Sequence, residues 1–479
     1  MSLNEQKSLR LNSILNVIKQ LCVIIFPMIT FPYASRVLGV TNYGKINFGQ
    51  SIISYIALIA ALGITNYAIR EGAQKREHNS ELSTLINELF TLSVYSTIFS
   101  YIILGLLCFF WADLRPYTTL LIIQSMIVVF TTLGTDWINS IFEDYFFITI
   151  RYILCQIISI VLMFVLVKEP EDYLMYAFVS VSANILANIW NIYHIRKKLK
   201  IKLRFVEFSG VEKHFKSVFY MFVSSIATLV YINSDITMLG IMKDDTVVGY
   251  YSVSVKIYSL IKQLVNAFMI VSIPRFSNYI GNGKLDEVQK GLNTLFTLLI
   301  LMIGPAMSGL YSLSSDIIFL FAGKDYIKAT PSLQILSFAI FFSTLACFYI
   351  NVVMIPFMKE KLILKATIIS ASANILLNFV LIPSYGANAA ALTTLISEML
   401  LVVFGIYYMR NSLELRWKVP LLISSLISII VYFICQFVIS LSLNRIQEII
   451  FSAFISLIVF LFITVPYLKM NKMKVLIKK

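Results

Sequence analysis

The sequence predicts an all-α polytopic membrane protein of fourteen transmembrane helices. Long apolar segments succeed one another along the whole chain, and the gaps between them are too short to hold a folded soluble domain. Only 13% of the residues are charged while 58% are hydrophobic, and the mean hydropathy is +0.82. Soluble domains carry about a quarter charged residues, so a water-soluble class is excluded. A third observation concerns function: five basic residues, Lys19, Arg151, Lys256, Lys262 and Lys365, sit inside stretches that otherwise read as spans.

Windows of about 20 apolar residues mark a membrane helix. They fall near 12–34, 46–68, 83–109, 117–135, 145–167 and 173–194, then near 215–235, 247–273, 290–311, 331–356, 361–383 and 386–409. Two more lie near 419–440 and 446–467. The first reads as a span and not as a cleaved leader, because it has no small-residue cleavage site and a second span follows closely.

Basic residues concentrate on the cytoplasmic side of membrane proteins. With both termini cytoplasmic, the inner segments hold 26 of the 39 Lys and Arg, the outer segments eight and the spans five. The net charge of +14 is thus a matter of topology, and the run Arg196–Lys200 faces anionic lipid. It implies no nucleic-acid partner. The five cysteines fall inside spans without a CxxC pair and read as small buried apolar residues, so neither disulfide nor metal site is expected.

A weak internal repeat organises the chain. Residues 36–44 link the first two spans as 237–249 link the seventh and eighth, setting Gly39 against Gly240 and Gly44 against Gly249. An offset near 214 sets Arg151 opposite Lys365. The expected domains are a six-helix bundle over 1–194, a cytoplasmic linker over 195–214, a second six-helix bundle over 215–410, and two added spans with a basic tail over 411–479. The two bundles are pseudo-symmetric and share one orientation. Carriers of this kind bind substrate at the repeat interface and expose it alternately.

A charge at bilayer depth costs around 2.5–3.5 kcal/mol on insertion scales and marks a polar path when it persists. Lys256 lies about nine residues into the eighth span and Lys262 further in, too deep for easy snorkelling; Lys19, Arg151 and Lys365 lie nearer the cytoplasmic ends. All five are candidate ligands for an anionic substrate, with ion pairing to a nearby carboxylate as the alternative for the lysines of the eighth span. Among acids, Glu398 is mid-span in the twelfth segment, Glu88 lies within the third and Asp235 marks the outer end of the seventh. Glu398 is the first candidate for H+ or Na+ coupling, because a carboxylate there must be protonated, ion-bound or paired with a lysine. The three histidines, His78, His194 and His214, lie in or beside cytoplasmic segments and form no intramembrane relay. No phosphate loop, HExxH or GxSxG pattern occurs, and no outer loop exceeds about 20 residues, so neither an ATPase nor another enzyme is expected and no cofactor is implied.

Several segments carry a likeness to a known family. They are Phe31-Pro-Tyr-Ala-Ser-Arg-Val-Leu-Gly-Val-Thr-Asn-Tyr-Gly44, Asp235-Ile-Thr-Met-Leu-Gly240 with Gly249-Tyr-Tyr-Ser, Phe321-Ala-Gly-Lys-Asp-Tyr-Ile-Lys-Ala, and Asn374-Ile-Leu-Leu-Asn with Ile382-Pro-Ser-Tyr-Gly-Ala. In order and spacing the chain resembles bacterial oligosaccharide flippases of the polysaccharide biosynthesis family, in the multidrug/oligosaccharidyl-lipid/polysaccharide exporter superfamily. The resemblance implies translocation of undecaprenyl-pyrophosphate-linked repeat units from the cytoplasmic to the outer leaflet of the bacterial cell membrane, for O-antigen or capsule assembly. Polysaccharide polymerase and other assembly proteins would be its partners. It also implies a cationic central cavity, which Lys19, Lys256 and Lys262 fit better than Arg151 and Lys365. A multidrug/cation antiporter of the same superfamily and a peptidoglycan lipid-precursor flippase are the alternatives. The gradient of H+ or Na+, or the membrane potential, would supply the drive.

Overall fold

The computed structural model describes residues 9–270, 272–410 and 413–477, and all regular structure among them is helical. Lys7, Lys478 and Lys479, which contribute to the expected orientation of the termini, lie outside the described residues. In chain order the helices are α1 (Leu9–Ala61), α2 (Ile64–Gln74), α3 (Asn79–Phe110), α4 (Thr118–Gly134), α5 (Trp137–Ile141), α6 (Tyr145–Leu166), α7 (Tyr173–Lys197), α8 (Phe208–Met242) and α9 (Asp245–Ile270). They continue with α10 (Ile273–Gly281), α11 (Leu285–Ser312), α12 (Ser314–Ala322), α13 (Thr330–Cys347), α14 (Glu360–Tyr385), α15 (Ala387–Met409), α16 (Lys418–Ser440) and α17 (Arg445–Ile477). A π-helical turn, Phe348–Met354, extends α13.

Among the described residues, twelve stretches are long and apolar enough to cross a membrane. The chain is a multi-pass membrane protein. The first stretch, Ile18–Gln74, runs through the two segments expected as separate spans, which are divided only at Gly39 (φ 70°). Only a residue without Cβ takes that angle at little cost, so the helix direction changes there. Helix α9 is not among the twelve. Two lysines with Ser252, Ser254, Ser259, Gln263 and Asn266 lower its apolarity.

The chain forms two compact units, Met1–Gly249 and Tyr250–Lys479. The division falls in the first turns of α9. Helix α8 belongs with the first unit because it packs on α1, α2 and α3. The linker is laid along α3, where the Arg204 amide donates to Asn87 Oδ1 at 2.8 Å and the Val206 amide to Thr91 Oγ1 at 3.1 Å. In the first unit α1 also packs on α4 and α6, and α7 packs on α4 and α6. In the second, α13 and α14 pack on α15, and α11 lies against α16 and α13.

The glycines set against one another by the repeat have different surroundings. A Cβ on Gly44 would run into the Asp245 carbonyl oxygen, and one on Gly249 into that of Val40, so the two connections cross backbone to backbone. Gly240 does not repeat the break at Gly39; it lies inside α8 under the ring of Phe48.

Large apolar side chains cover the outside, including Phe109, Phe110, Phe433 and Phe462. Small polar ones fill the inside, as expected where lipid leaves no hydrophobic drive between helices and close packing decides. Many of their hydroxyls return to their own helix: Thr91 to the Asn87 carbonyl at 2.8 Å, Ser93 to Leu89 at 2.8 Å, Ser314 to Leu310 at 2.6 Å and Ser397 to Thr393 at 2.8 Å. A few cross between helices, such as Ser96 to the Ala60 carbonyl at 2.6 Å and Ser424 to Ile300 at 2.7 Å.

Candidate functional site

In the first unit the structure gathers two of the five intramembrane bases around an acid the sequence reading passed over. A left-handed residue, Thr135 (φ 45°), ends α4 and places Asp136 at the start of α5. Arg151, one turn and a half into α6, is 4% exposed and donates through Nη2 to Asp136 Oδ1 at 2.5 Å. Lys19, half-buried on α1, lies within electrostatic range of both. Asn139 donates to Asp136 Oδ1 at 3.1 Å and to Asn191 Oδ1 at 2.5 Å, so α5 and α7 hold the carboxylate in place. The guanidinium rests over the ring of Phe147, 5.2 Å from its centroid, and that ring stacks at 3.6 Å on His194, whose Nε2 is 3.3 Å from Asp144. Arg151 Nε and Nη1 have no hydrogen-bond partner among the described residues. A buried guanidinium with two free donors is unusual, since each unmet buried donor costs about 1–3 kcal/mol.

The second unit repeats the proportion of two bases to one acid. Lys262 on α9 pairs with Glu398 on α15 at 2.5 Å; the carboxylate is 2% exposed and the lysine side chain 28%. Tyr258, one turn before Lys262, donates to the same carboxylate oxygen at 2.8 Å, while Glu398 Oε2 is buried without a partner among the described residues. Asn266, one turn after Lys262, accepts from Asn351 at 2.9 Å. Tyr258, Lys262 and Asn266 thus form one i, i+4 stripe. It meets α15 and the π-helical turn Phe348–Met354, a distortion frequent at functional sites. Lys256 is on another face of α9, half-buried, and no carboxylate among the described residues pairs with it.

The remaining candidates are placed elsewhere. Glu88 is buried but not in either cluster: it accepts from Lys213 at 2.6 Å and faces His214 Nε2 at 2.8 Å, and His214 Nδ1 meets the Tyr67 hydroxyl at 2.8 Å. That arrangement ties the start of α8 to α3 and α2. Asp235 does not mark a helix end. Helix α8 continues to Met242, and Asp235 is buried within it near Tyr55. Lys365, expected to match Arg151, is exposed on the second turn of α14, with no ion pair among the described residues; the equivalent acid is missing there. Of the five bases, then, Arg151 and Lys262 are paired, Lys19 shares a paired acid, and Lys256 and Lys365 stand without one. Asp136 and Tyr258 escaped sequence reading because one lies in a turn and the other resembles any interfacial tyrosine.

A family model described as "Polysaccharide biosynthesis protein" matches residues 9–280, more than half of the chain. The chain belongs to this family. Among curated members, a Shigella dysenteriae protein described as "Putative O-antigen transporter" is 23% identical over 386 residues, covering 79% of this chain and 94% of that one. A solved structure titled "Lipid II flippase MurJ, inward closed conformation" has a TM-score of 0.72 at 20% identity, covering 96% of this chain and 99% of its own. An inward-facing multidrug resistance MATE family transporter of the MOP superfamily has a TM-score of 0.59 at 14% identity, covering 82% and 97%. The fold of this polysaccharide biosynthesis family member is therefore the one that flippase and transporter share.

Proposed function

We propose that the protein is a flippase that carries undecaprenyl-pyrophosphate-linked oligosaccharide units from the cytoplasmic to the outer leaflet of a bacterial cell membrane, by alternating access. Taking Ile18–Gln74 as two crossings and α9 as one gives fourteen, an even number that sets both termini on one side, and the excess of basic residues makes that side the cytoplasm in this reading. The observation that carries the reading is that Lys19 and Arg151 share one carboxylate, Asp136, and that Lys256 is half-buried on α9 with no carboxylate among the described residues paired with it. An uncompensated ammonium is kept at that depth only if something anionic neutralises it for part of the cycle. A pyrophosphate does so, and Arg151 keeps N–H groups on Nε and Nη1 without a hydrogen-bond partner among the described residues. The name of the Shigella relative points the same way.

No nucleotide is needed, because an inside-negative potential favours outward movement of an anion by about 2.3 kcal/mol per charge per 100 mV. Cation exchange at Glu398, whose Oε2 lacks a partner, would reset the carrier. Role by role, Lys19 and Arg151 receive the head group near the cytoplasmic interface and Lys256 meets it deeper.

The test is deletion followed by analysis of lipid-linked sugars. Single repeat units should accumulate on the cytoplasmic face and surface polysaccharide should disappear. Lys19→Ala with Lys256→Ala should reproduce the loss at normal protein level. Undiminished surface polymer in the deletion strain rejects the reading, and resistance to cationic drugs on overexpression would favour the antiporter instead.

A further inference from the structure

The first unit contains a second polar concavity at the opposite end from Lys19 and Arg151. Its volume is about 560 Å3, and its lining comes from four places in the chain: Lys45 and Phe48 of α1, the segment Trp111–Leu120, Tyr173 at the start of α7, and the α8–α9 corner from Gly240 to Asp245. Positive-inside topology puts all four at the outer surface. Three half-buried aromatic rings, Trp111, Tyr117 and Tyr173, border it. Each is held: Trp111 Nε1 donates to Asp113 Oδ2 at 3.2 Å, Tyr117 packs edge-on against Phe48 at 5.1 Å and donates to Asp245 Oδ1 at 2.6 Å, and the Lys45 ammonium is 5.4 Å from the Tyr173 ring centroid.

The charges balance. Lys45 and Lys243 are set against Asp113 and Asp245, so the concavity has no excess with which to hold a phosphate. What it presents is aromatic faces beside carboxylate acceptors and ammonium donors, the few convergent polar groups on an apolar frame that define a small-ligand site. A pyranose ring has this complementary make-up, with apolar C–H faces and a rim of hydroxyls that both donate and accept. We infer that this outer concavity binds sugar residues of the translocated glycan, Trp111 and Tyr173 stacking on ring faces while Asp113, Asp245, Lys45 and Lys243 engage hydroxyls.

Such a site would hold the glycan on the outer side while the head group leaves the basic residues, and would disfavour return. The inference rests on the flippase reading for its ligand. The test uses purified full-length protein in lipid nanodiscs, titrated calorimetrically with soluble oligosaccharides made by partial acid hydrolysis of the host's own surface polysaccharide, and separately with inorganic pyrophosphate. Saturable oligosaccharide binding is expected, weakened roughly tenfold by Trp111→Ala or Tyr173→Ala. Tyr173→Phe, which keeps the ring, should bind as the wild type does, and pyrophosphate titrations should not respond to these changes. If Trp111→Ala does not fold, Asp113→Asn combined with Asp245→Asn makes the same test at constant side-chain size. Absence of saturable binding, or an affinity that none of the pocket variants alters, overturns the inference. So does an equal loss of pyrophosphate and oligosaccharide binding. Either result is separable from failure of the flippase reading, which is decided by whether the deletion strain still exports polymer.

Discussion

The Lys262–Glu398 pair permits a sharp test because its two members are unequally buried. Glu398 is 2% exposed and receives both Lys262 and Tyr258, whereas the Lys262 side chain is 28% exposed. Removing one partner of a buried pair costs about 3–5 kcal/mol, since the other charge is left uncompensated. Lys262→Met strands the deeper charge and should cost near the top of that range. Glu398→Gln strands the less buried member of the pair and keeps an acceptor for Tyr258, so about 2–3 kcal/mol is expected. The double variant replaces the pair by neutral groups of similar size and should return to within about 1 kcal/mol of the wild type. The coupling energy from the four proteins is then about 5 kcal/mol or more. Reversible SDS-induced unfolding, followed by tryptophan fluorescence in one mixed-micelle system, measures it. Effects that add to within about 0.5 kcal/mol would refute the pairing. Export separates structure from function: the double variant should fold yet leave surface polysaccharide depleted, because the carboxylate proposed to exchange the coupling cation is gone.

Other perturbations follow from the same geometry. Asp136→Asn leaves Arg151 buried beside Lys19 and should destabilise by about 3 kcal/mol, read as a lowered thermal midpoint; Asp136→Glu should recover part of it. His214→Ala removes the contact between Tyr67 and Glu88 that anchors α8. Trypsin should then cut the linker at Lys198, Lys200, Lys202 or Arg204 several-fold faster, and an unchanged rate would mean that the bonds from the Arg204 and Val206 amides to the Asn87 and Thr91 side chains suffice. Gly44→Ala and Gly249→Ala should each abolish folded protein, detected as loss of the monodisperse peak in size-exclusion chromatography, because the added methyl meets a carbonyl oxygen. Gly105→Ala, with open space around the methyl, should be neutral or gain up to about 1 kcal/mol.

The helical architecture was legible because bilayer thickness fixes the length of an apolar segment, so α4, α6, α7 and α11 through α17 fall near their expected windows, with short α12 lying in a gap. Helix α9 was legible for the same reason even though its two lysines lower its apolarity. Partners were harder to see. Arg151 and Asp136 are only 15 residues apart, yet their meeting depends on the turn at Thr135, which no periodicity announces. Lys262 and Glu398 are 136 residues apart, and a charge census names both without saying which lysine of α9 receives the acid. The 100° advance per residue decides it: Tyr258, Lys262 and Asn266 share a stripe that Lys256 does not. Lys365 was matched to Arg151 by offset alone. A repeat preserves helix order but not the acid that a base must find, and the two positions have diverged into exposed and buried sites. The outer concavity was invisible in the sequence because its lining is drawn from four separate connections.

The serine and threonine hydroxyls inside the units have a mechanical consequence. Thr91, Ser93, Ser314 and Ser397 spend their donors on carbonyls of their own helices. Such bonds travel with the helix that makes them. Two neighbouring rods can therefore shift along one another without tearing polar links, the only toll being the reseating of small side chains. A carrier of the kind proposed gains low friction from this inward-turned chemistry, while cross-ties such as Ser96 to Ala60 and Ser424 to Ile300 name the helix pairs that would travel as a single rigid piece.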